Sequence, residues 1–181
     1  MRANEVSVTA FTSDTVKDTD VKLKELAMKY ANEKGIQAGN LEIARQEYKK
    51  PYFVSSDIFF SVSHSGNYVL FALGLSELGI DIQQFKTCNA EKIAGRFFHN
   101  SEYEYLKKDN FNSFFDVWTA KESYVKYTGQ GITDEYRDFS VIDENGNMGM
   151  KGICFEIIPF MNGYSVCLCT KEKAMLRLFC E

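Results

Sequence analysis

One stretch of the chain carries acidic and basic side chains at helical spacing. Within residues 118–126, Trp118, Glu122 and Lys126 recur every four residues, so they share one face of a helix. A carboxylate beside an ammonium group suits a site that holds a metal ion and a phosphate together. Taken alone, the same spacing is more often a solvent-exposed ion pair worth about 0.3 kcal/mol, so the interpretation depends on the rest of the chain.

An isolated acidic residue lies upstream, in an apolar strand. In the segment 78–83, Asp81 and Gln83 are predicted on one face, and Ile80 and Ile82 on the face toward the core. An unpaired carboxylate is costly to bury, so Asp81 needs a partner. A metal ion and an internal lysine or arginine are the two candidates.

Two further polar groups precede this strand. His64 ends an apolar strand, directly after Ser63, where a histidine is more often a hydrogen-bonded structural residue. No Gly-x-Ser-x-Gly elbow surrounds it, which argues against a serine hydrolase. Lys50 and Pro51 form a basic, extended segment, because the residue before a proline avoids the helical region.

Composition restricts the class of protein. The 181 residues, 45% of them hydrophobic, are enough for one domain with a real core. A net charge of −4 argues against a general nucleic-acid binder. No apolar run is long enough for a membrane span and no signal-peptide pattern begins the chain, so we expect a soluble cytoplasmic protein. The five cysteines, an odd number without a Cys-His cluster, lie mostly in apolar strand-like segments and are expected to be buried free thiols in a reducing compartment.

Hydrophobic periodicity places the elements of the N-terminal part. An amphipathic helix is predicted over residues 19–34, ended by Gly35. Strands are predicted over residues 41–44, 57–64, 68–74 and 78–83. We interpret the last three strands as a meander.

The C-terminal part is predicted to contain helices followed by strands. Two helices are expected over residues 89–98 and 102–108, with capping-box spacing of Ser101 and Glu104 at the second. The helix of Trp118 follows, capped by Asn112 or Ser113 and ended by Gly129. Strands are predicted over residues 139–142, 150–158, 163–170 and 173–180. The order is that of an α+β protein with two comparable halves meeting near residue 78.

Six short motifs follow one another between residues 46 and 132: Lys50-Pro51, Ser63-His64-Ser65, Gly79-Ile80-Asp81, Arg96-Phe97-Phe98, Ser101-Glu102-Tyr103 and Trp118-x-x-Lys121-Glu122-Ser123-x-x-Lys126. In this order they closely resemble the Sfp-type 4′-phosphopantetheinyl transferases. The resemblance implies an α+β pseudo-dimer of two similar helix-plus-antiparallel-sheet halves, 1–77 and 78–181, with the active site between them. It also implies a cytoplasmic monomer with pseudo-twofold symmetry.

The family transfers 4′-phosphopantetheine from coenzyme A to a serine hydroxyl of an apo acyl, peptidyl or polyketide carrier protein. Adenosine 3′,5′-bisphosphate is released and magnesium is used. By resemblance, Asp81 and Glu122 are metal ligands, and Gln83 occupies a position where the family often has a third carboxylate. By the same resemblance, Lys126 and Lys121 would hold the diphosphate.

The remaining site residues also follow from the resemblance. Lys50 and Pro51 match contacts on the adenine side of coenzyme A, Ser63 lies beside the same nucleotide site, and His64 would donate to a phosphate. Glu102 matches an acidic position near the reaction centre. Either Glu102 or Glu122 could accept the serine proton, so the general base is left open.

The segment 87–98 corresponds to the family's contact with the carrier protein. Its apolar residues could equally be core residues of an ordinary helix. Two alternatives to transfer also remain open: a degenerate protein that binds coenzyme A or a carrier without transfer, and a magnesium phosphohydrolase acting on a small nucleotide.

Overall fold

The structure, a computed structural model, describes residues 4–47, 49–129 and 134–180. Residues 1–3 of the expected first half and 130–132 of the motif-bearing stretch lie outside the described residues. The strands are β1 Glu5–Thr12, β2 Asn40–Ala44, β3 Tyr52–Ser55, β4 Phe59–Ser65, β5 Tyr68–Gly74, β6 Leu78–Gln84, β7 Cys154–Ile157, β8 Tyr164–Thr170 and β9 Met175–Cys180. The helices are α1 Thr19–Lys34, α2 Ala90–Phe97, α3 Asn100–Lys108 and α4 Phe114–Thr128, with a 3-10 helix at Asp134–Arg137.

The first sheet has the strand order β4-β5-β1-β9. The β4–β5 and β1–β5 pairs are antiparallel, whereas β1 and β9 run parallel. Helix α1 covers one face of this sheet through its buried Leu23 and Tyr30, which pack among aromatic residues that include Phe71. The predicted start and end of α1 are confirmed: Asp18 caps its first amides, and Gly35 ends it at a φ of 62°.

The second sheet has the strand order β6-β8-β7 and is antiparallel throughout. The expected meander is therefore wrong at its last strand, because β6 pairs with β8 and not with β5. Strands this close in sequence can join different sheets when each has a separate apolar surface to cover. Here the other face of β6 and β8 is covered by α4, through residues that include Val117 and Ala120.

The two sheets pack face to face around a shared core. Val8 and Leu70 of the first sheet contact a cluster that contains Ile80, Ile82 and Leu168 of the second, and all five are almost fully buried. The molecule is thus layered: α1, first sheet, second sheet, then the helices α2 to α4. The predicted mixed α+β class with antiparallel sheets is confirmed.

A row of serines joins the two sheets at one edge. Ser61, Ser63 and Ser65 of β4 accept hydrogen bonds at 3.1, 3.2 and 3.0 Å from the backbone amides of β6. These side chains take the place of a backbone ladder, so β4 and β6 lie side by side without being paired strands. We call this junction the serine seam, and it is where Asp81 lies.

Several local predictions need correction. The capping box of α3 is formed by His99 and Glu102, not by Ser101 and Glu104, because the helix begins two residues earlier than predicted. The expected strand at 139–142 is only an isolated bridge at Ile142.

Strands β1 and β3 were not predicted from the sequence. Strand β6 begins at the predicted boundary between the two halves. Strand β9, from the second predicted half, pairs with β1 in the first sheet. All five cysteines are free thiols, but only Cys167 and Cys169 are buried, so the expected burial is wrong for Cys154 and Cys180. Among the described residues, no helix has the length and apolar character that a membrane crossing requires.

Candidate functional site

A close contact between α4 and β6 positions the candidate site. A Cβ atom at Gly79 would overlap the carbonyl oxygen of Ser123 and press against the amide nitrogen of Tyr127. Only glycine therefore allows the helix backbone to lie directly on the strand. This approach brings Lys126, at the end of the helix, to Asp81, two residues further along the strand.

Asp81 lies in the serine seam with only 6% of its surface exposed. Its Oδ1 accepts hydrogen bonds from the Ser63 hydroxyl and the Lys126 ammonium group, each at 2.7 Å. Of the two partners expected from the sequence, the structure shows an internal lysine. No hydrogen bond from a described residue reaches the other carboxylate oxygen, so it can take a further ligand.

Glu122 lies one helical turn before Lys126 on α4 and is half-buried. Burial raises the pKa of its carboxyl group, and the nearby charge of Asp81 raises it further. The Tyr136 hydroxyl and the Lys126 ammonium group oppose this shift. Lys126, which is bound to Asp81, lies on the same face of α4 as Glu122, so the two carboxyl groups border a common region.

The Tyr136 hydroxyl is buried beside Glu122. The two groups interact, but the hydroxyl has no hydrogen bond of regular geometry with any described residue. Nothing in the spacing of the sequence singled out this tyrosine, because it follows α4 in a segment without periodicity.

Gln83, on the same face of β6 as Asp81, contributes an amide in place of a carboxylate. Its Nε2 donates to the Ser65 hydroxyl at 3.3 Å and to the Gln84 carbonyl at 2.8 Å, so its amide oxygen is the atom left for a ligand. In the part of the chain that is described, no three His, Cys, Asp or Glu side chains form a metal site by themselves. Two carboxylates and an amide oxygen nevertheless fit Mg²⁺, which binds oxygen atoms and commonly takes one or two protein carboxylates plus substrate phosphate.

Two of the predicted site residues bind each other instead of facing the site. Lys121 and Glu102 are fully buried and form an ion pair with a closest distance of 2.8 Å. The lysine also donates to the Phe139 carbonyl, and the Glu102 carboxylate accepts from the backbone amides of His99 and Val141. Burial lowers the pKa of Lys121, whereas Glu102 raises it. Every charge is satisfied, so the arrangement fixes α3 to α4, and contact of either side chain with substrate stays a prediction.

Two of the residues predicted for coenzyme A, Lys50 and Pro51, line an opening of their own. It is a cavity of about 310 Å³, which Glu77 and Gly129 also line. The Lys50 ammonium group donates to the Glu77 carboxylate at 3.1 Å and to the Leu78 carbonyl at 2.8 Å. Burial lowers the pKa of Lys50, and the Glu77 charge opposes this effect.

His64 and Ser63 are separated by the geometry of β4. Neighbouring residues of a strand point to opposite faces, so Ser63 faces Asp81 while His64 is exposed on the other side. The structure therefore brings Ser63, Asp81, Glu122 and Lys126 together, and it does not bring His64 into that group. The alternating serines of β4 were a sequence signal for the seam that periodicity in apolar residues alone did not reveal.

The segment that carries the site matches a known family. A family model described as the 4′-phosphopantetheinyl transferase superfamily matches residues 77–169, about half of the chain. The chain belongs to the 4′-phosphopantetheinyl transferase superfamily. The matched segment contains Asp81, Gln83, Glu122 and Lys126, and the predicted resemblance is confirmed.

Curated members of the superfamily align with part of the chain. It is 41% identical over 110 residues to the 4′-phosphopantetheinyl transferase gsp of Aneurinibacillus migulanus, covering 59% of this chain and 45% of the relative. It is 33% identical over 122 residues to the 4′-phosphopantetheinyl transferase Sfp of Bacillus subtilis (strain 168), covering 64% and 54%. It is 35% identical over 108 residues to the 4′-phosphopantetheinyl transferase HetI of Nostoc sp., covering 54% and 46%. The chain thus spans about half the length of the curated relatives it matches.

Proposed function

We propose that this chain transfers 4′-phosphopantetheine from coenzyme A to a serine hydroxyl of an apo carrier protein. The observation that carries the proposal is the meeting of Asp81, Glu122 and Lys126 at the serine seam, inside the segment that matches the superfamily. Two acidic groups and one basic group in a half-buried site suit a diphosphate substrate held with a divalent cation.

The reaction has three physical requirements. The serine oxygen forms a bond to the phosphorus that carries pantetheine, and the bond from that phosphorus to the bridging oxygen of the diphosphate breaks. The electron pair leaves with adenosine 3′,5′-bisphosphate, and the serine proton passes to a base. The site must therefore neutralise phosphate charge, position the hydroxyl and accept a proton.

Magnesium is the cation that the donor atoms suit best. Asp81, Glu122 and Gln83 would hold it, and when bound it neutralises charge on the diphosphate. With an amide at position 83, the protein supplies two negative charges to the ion. The ligand positions that these three residues do not fill would be open to water or to substrate oxygen.

Lys126 is proposed to bind the diphosphate. Its ammonium group is partly exposed and already lies 2.7 Å from Asp81, so it borders the region where the cation would sit. An anionic phosphate brought there by the cation would gain a charge-assisted hydrogen bond from this lysine.

Glu122 is the better placed of the two candidate bases. Glu102 is fully buried and saturated with hydrogen bonds, whereas Glu122 is half-buried beside Asp81. Burial also raises the pKa of Glu122 toward the range in which a carboxylate is an effective general base. We propose that Glu122 takes the serine proton, directly or through a water molecule.

We propose that the cavity at Lys50 and Pro51 receives the adenine end of coenzyme A. The proposal is supported by its size, its partly apolar lining with Phe60, and a lysine that borders it. His64 would reach a phosphate from the exposed side of β4, and Lys121 would act through α4 by its ion pair with Glu102.

We propose that the carrier protein contacts the segment 87–98, which contains α2. Phe97 is 45% exposed and Lys92 and Arg96 are exposed beside it, while Ile93 packs against the core of the helical layer. An exposed aromatic ring flanked by two positive charges suits an acidic, amphipathic helix of a partner.

The arrangement of sheets and helices supports a pseudo-dimer of two similar halves. Each sheet has a helix on its outer face, α1 on the first and α4 on the second, and the proposed site lies where the sheets meet. We further propose that the protein is a cytoplasmic monomer. The buried free thiols of Cys167 and Cys169 are suited to a reducing compartment.

A labelling experiment tests the function. The protein, magnesium, a fluorescent coenzyme A analogue and several apo carrier proteins are mixed, and transfer is followed by fluorescence in a gel. We expect magnesium-dependent labelling of at least one carrier, and a loss of at least about 1,000-fold in Glu122→Gln, since both charge neutralisation and proton transfer suffer.

Glu104→Gln is the matched control, because Glu104 is an exposed glutamate of α3 outside the site. It should label carriers at the rate of the unchanged protein. Full activity of Glu122→Gln would contradict the assignment. Binding of coenzyme A in calorimetry without labelling of any carrier would favour a binding protein, and phosphate release without a carrier would favour a phosphohydrolase.

A further inference from the structure

Tyr136 is held firmly against the face of α4 that carries the proposed site. Its ring stacks on Trp118 with centroids 6.5 Å apart and lies 6.1 Å from the ring of Phe139. Trp118 is one helical turn before Glu122 on the same face. The packing of the ring therefore fixes where the hydroxyl can point.

The hydroxyl of this tyrosine lacks a regular hydrogen-bond partner among the described residues although it is buried. Burying a hydroxyl without a partner costs about 1–3 kcal/mol, so such groups in native proteins call for a specific reason. The ring lies on Trp118, one turn before Glu122, and the Tyr136 hydroxyl and the Glu122 carboxylate affect each other's charge. A phenol is protonated at neutral pH, so this hydroxyl is available as a donor.

We propose that Tyr136 is a positioning residue: when the cation binds, its hydroxyl donates a hydrogen bond to one oxygen of Glu122 and leaves the other oxygen to face the cation. The inference rests on the proposed function of the Asp81–Glu122 site. The Lys126 ammonium group is bound to Asp81, so it does not orient Glu122 in the same way. A hydrogen-bond donor to Glu122 itself would fix which carboxylate oxygen faces the cation.

A positioning role of Tyr136 and a purely structural role predict different effects of Tyr136→Phe. If Tyr136 only fills space, Tyr136→Phe keeps the ring and changes nothing at the metal site. If it positions Glu122, the same substitution weakens cation binding, whereas the stability of the cation-free protein stays equal or rises, because a buried hydroxyl without a partner is removed.

The test compares magnesium binding by the whole chain before and after the substitution. Calorimetric titration with Mg²⁺, with and without coenzyme A, should give a dissociation constant about tenfold higher in Tyr136→Phe, the usual cost of losing a group that orients a metal ligand. The thermal midpoint should be unchanged or higher. Transfer to a carrier should be restored at saturating magnesium, since the defect lies in binding the ion.

Tyr103→Phe is the matched control. It removes a hydroxyl that donates to the carboxylate of Glu91 at 3.1 Å, far along the chain from Glu122. It should leave magnesium affinity unchanged. An ultraviolet difference spectrum gives a second readout: Mg²⁺ should perturb tyrosine absorption in the unchanged protein and in Tyr103→Phe, but not in Tyr136→Phe.

The outcomes separate this inference from the proposed function. Unchanged affinity and an unchanged difference spectrum in Tyr136→Phe would overturn the role of Tyr136 and leave the transferase proposal intact. The expected loss of affinity in a protein that labels no carrier would support Tyr136 and count against transfer. Absence of magnesium binding by the unchanged protein would overturn both the positioning role and the metal assignment.

Discussion

The Glu122 carboxyl group lies on a half-buried face of α4. Burial and the charge of Asp81 disfavour its ionised form, while Lys126 and Tyr136 only partly compensate. A group of this kind favours folding while it is protonated. The proposed roles of Glu122, as metal ligand and as general base, require its ionised form. The residue therefore lowers the stability of the folded protein in the form that the reaction needs.

This conflict predicts a pH-dependent stability difference for Glu122→Gln. The folded-state pKa of Glu122 lies above the unfolded value, so the folded protein binds more protons, and its stability falls as the pH rises through that interval. The glutamine variant cannot ionise there. In buffer with a chelator, its thermal midpoint should be higher than that of the unchanged protein at pH 8, and the difference should shrink on acidification below the usual glutamate range.

Differential scanning calorimetry between pH 4 and pH 8 measures the effect. The exposed Glu104→Gln is again the control and should show no such pH-dependent gain. A lower midpoint of Glu122→Gln at every pH would mean that favourable interactions of the ionised Glu122 outweigh the cost of its burial.

Residue types alone did not show which lysine of the motif lies at the site and which is buried in an ion pair. Glu122 and Lys126 lie at the site, whereas Lys121 turns away from it and pairs with Glu102 inside the protein. On a helix, Lys121 is about 100° from Glu122, so the two neighbours face different surroundings. Which surroundings these are depends on α3, and the sequence pattern does not place α3 against α4.

At the scale of elements, the site depends on how closely α4 approaches β6. Gly79 is the contact point, where the helix backbone at Ser123 and Tyr127 lies directly on the strand. The strand holds Asp81 and the helix holds Glu122. Any change in the distance between these elements therefore changes the separation of the two carboxyl groups.

Gly79→Ala is predicted to damage both stability and the site. Its Cβ would overlap backbone atoms, which cannot move aside as a flexible side chain can, so we expect a loss of about 3 kcal/mol in the free energy of unfolding. Urea unfolding measures this loss, and carrier labelling should fall with it because Asp81 and Glu122 are pushed apart.

The matched control for this prediction is Gly149→Ala. A Cβ at Gly149 meets no heavy atom within 4 Å, and its backbone has an ordinary φ. This variant should unfold within about 0.5 kcal/mol of the unchanged protein. Equal stability of the two alanine variants would show that α4 can shift on β6 without cost.

At the scale of the whole molecule, the two sheets complete one core. The faces of β6 and β8 that carry Ile80, Ile82 and Leu168 are covered by the first sheet, and β9 from the end of the chain pairs with β1. Neither predicted half, 1–77 or 78–181, therefore contains all the strands that pair with its own strands or cover its sheet.

We therefore predict that residues 78–181, expressed alone, do not fold cooperatively. Their second sheet would expose an apolar face, and β9 would lack β1 as its neighbour. Calorimetry and proton NMR of this fragment should show no unfolding transition and poor dispersion. Mixing it with residues 1–77 should restore both, whereas a well-dispersed spectrum of the fragment alone would establish two independent domains.

The sequence by itself determined the helices α1 and α4, the β4–β5 hairpin and the superfamily. Those features follow from periodicity, from Gly35 and Gly129 at helix ends, and from motifs within a short stretch of chain. The membership of β6 in a second sheet, the serine seam, the Lys121–Glu102 pair and the position of Tyr136 were decided only by the tertiary structure. Each of these depends on contacts between segments distant along the chain, and local periodicity carries no information about which apolar or polar faces will meet.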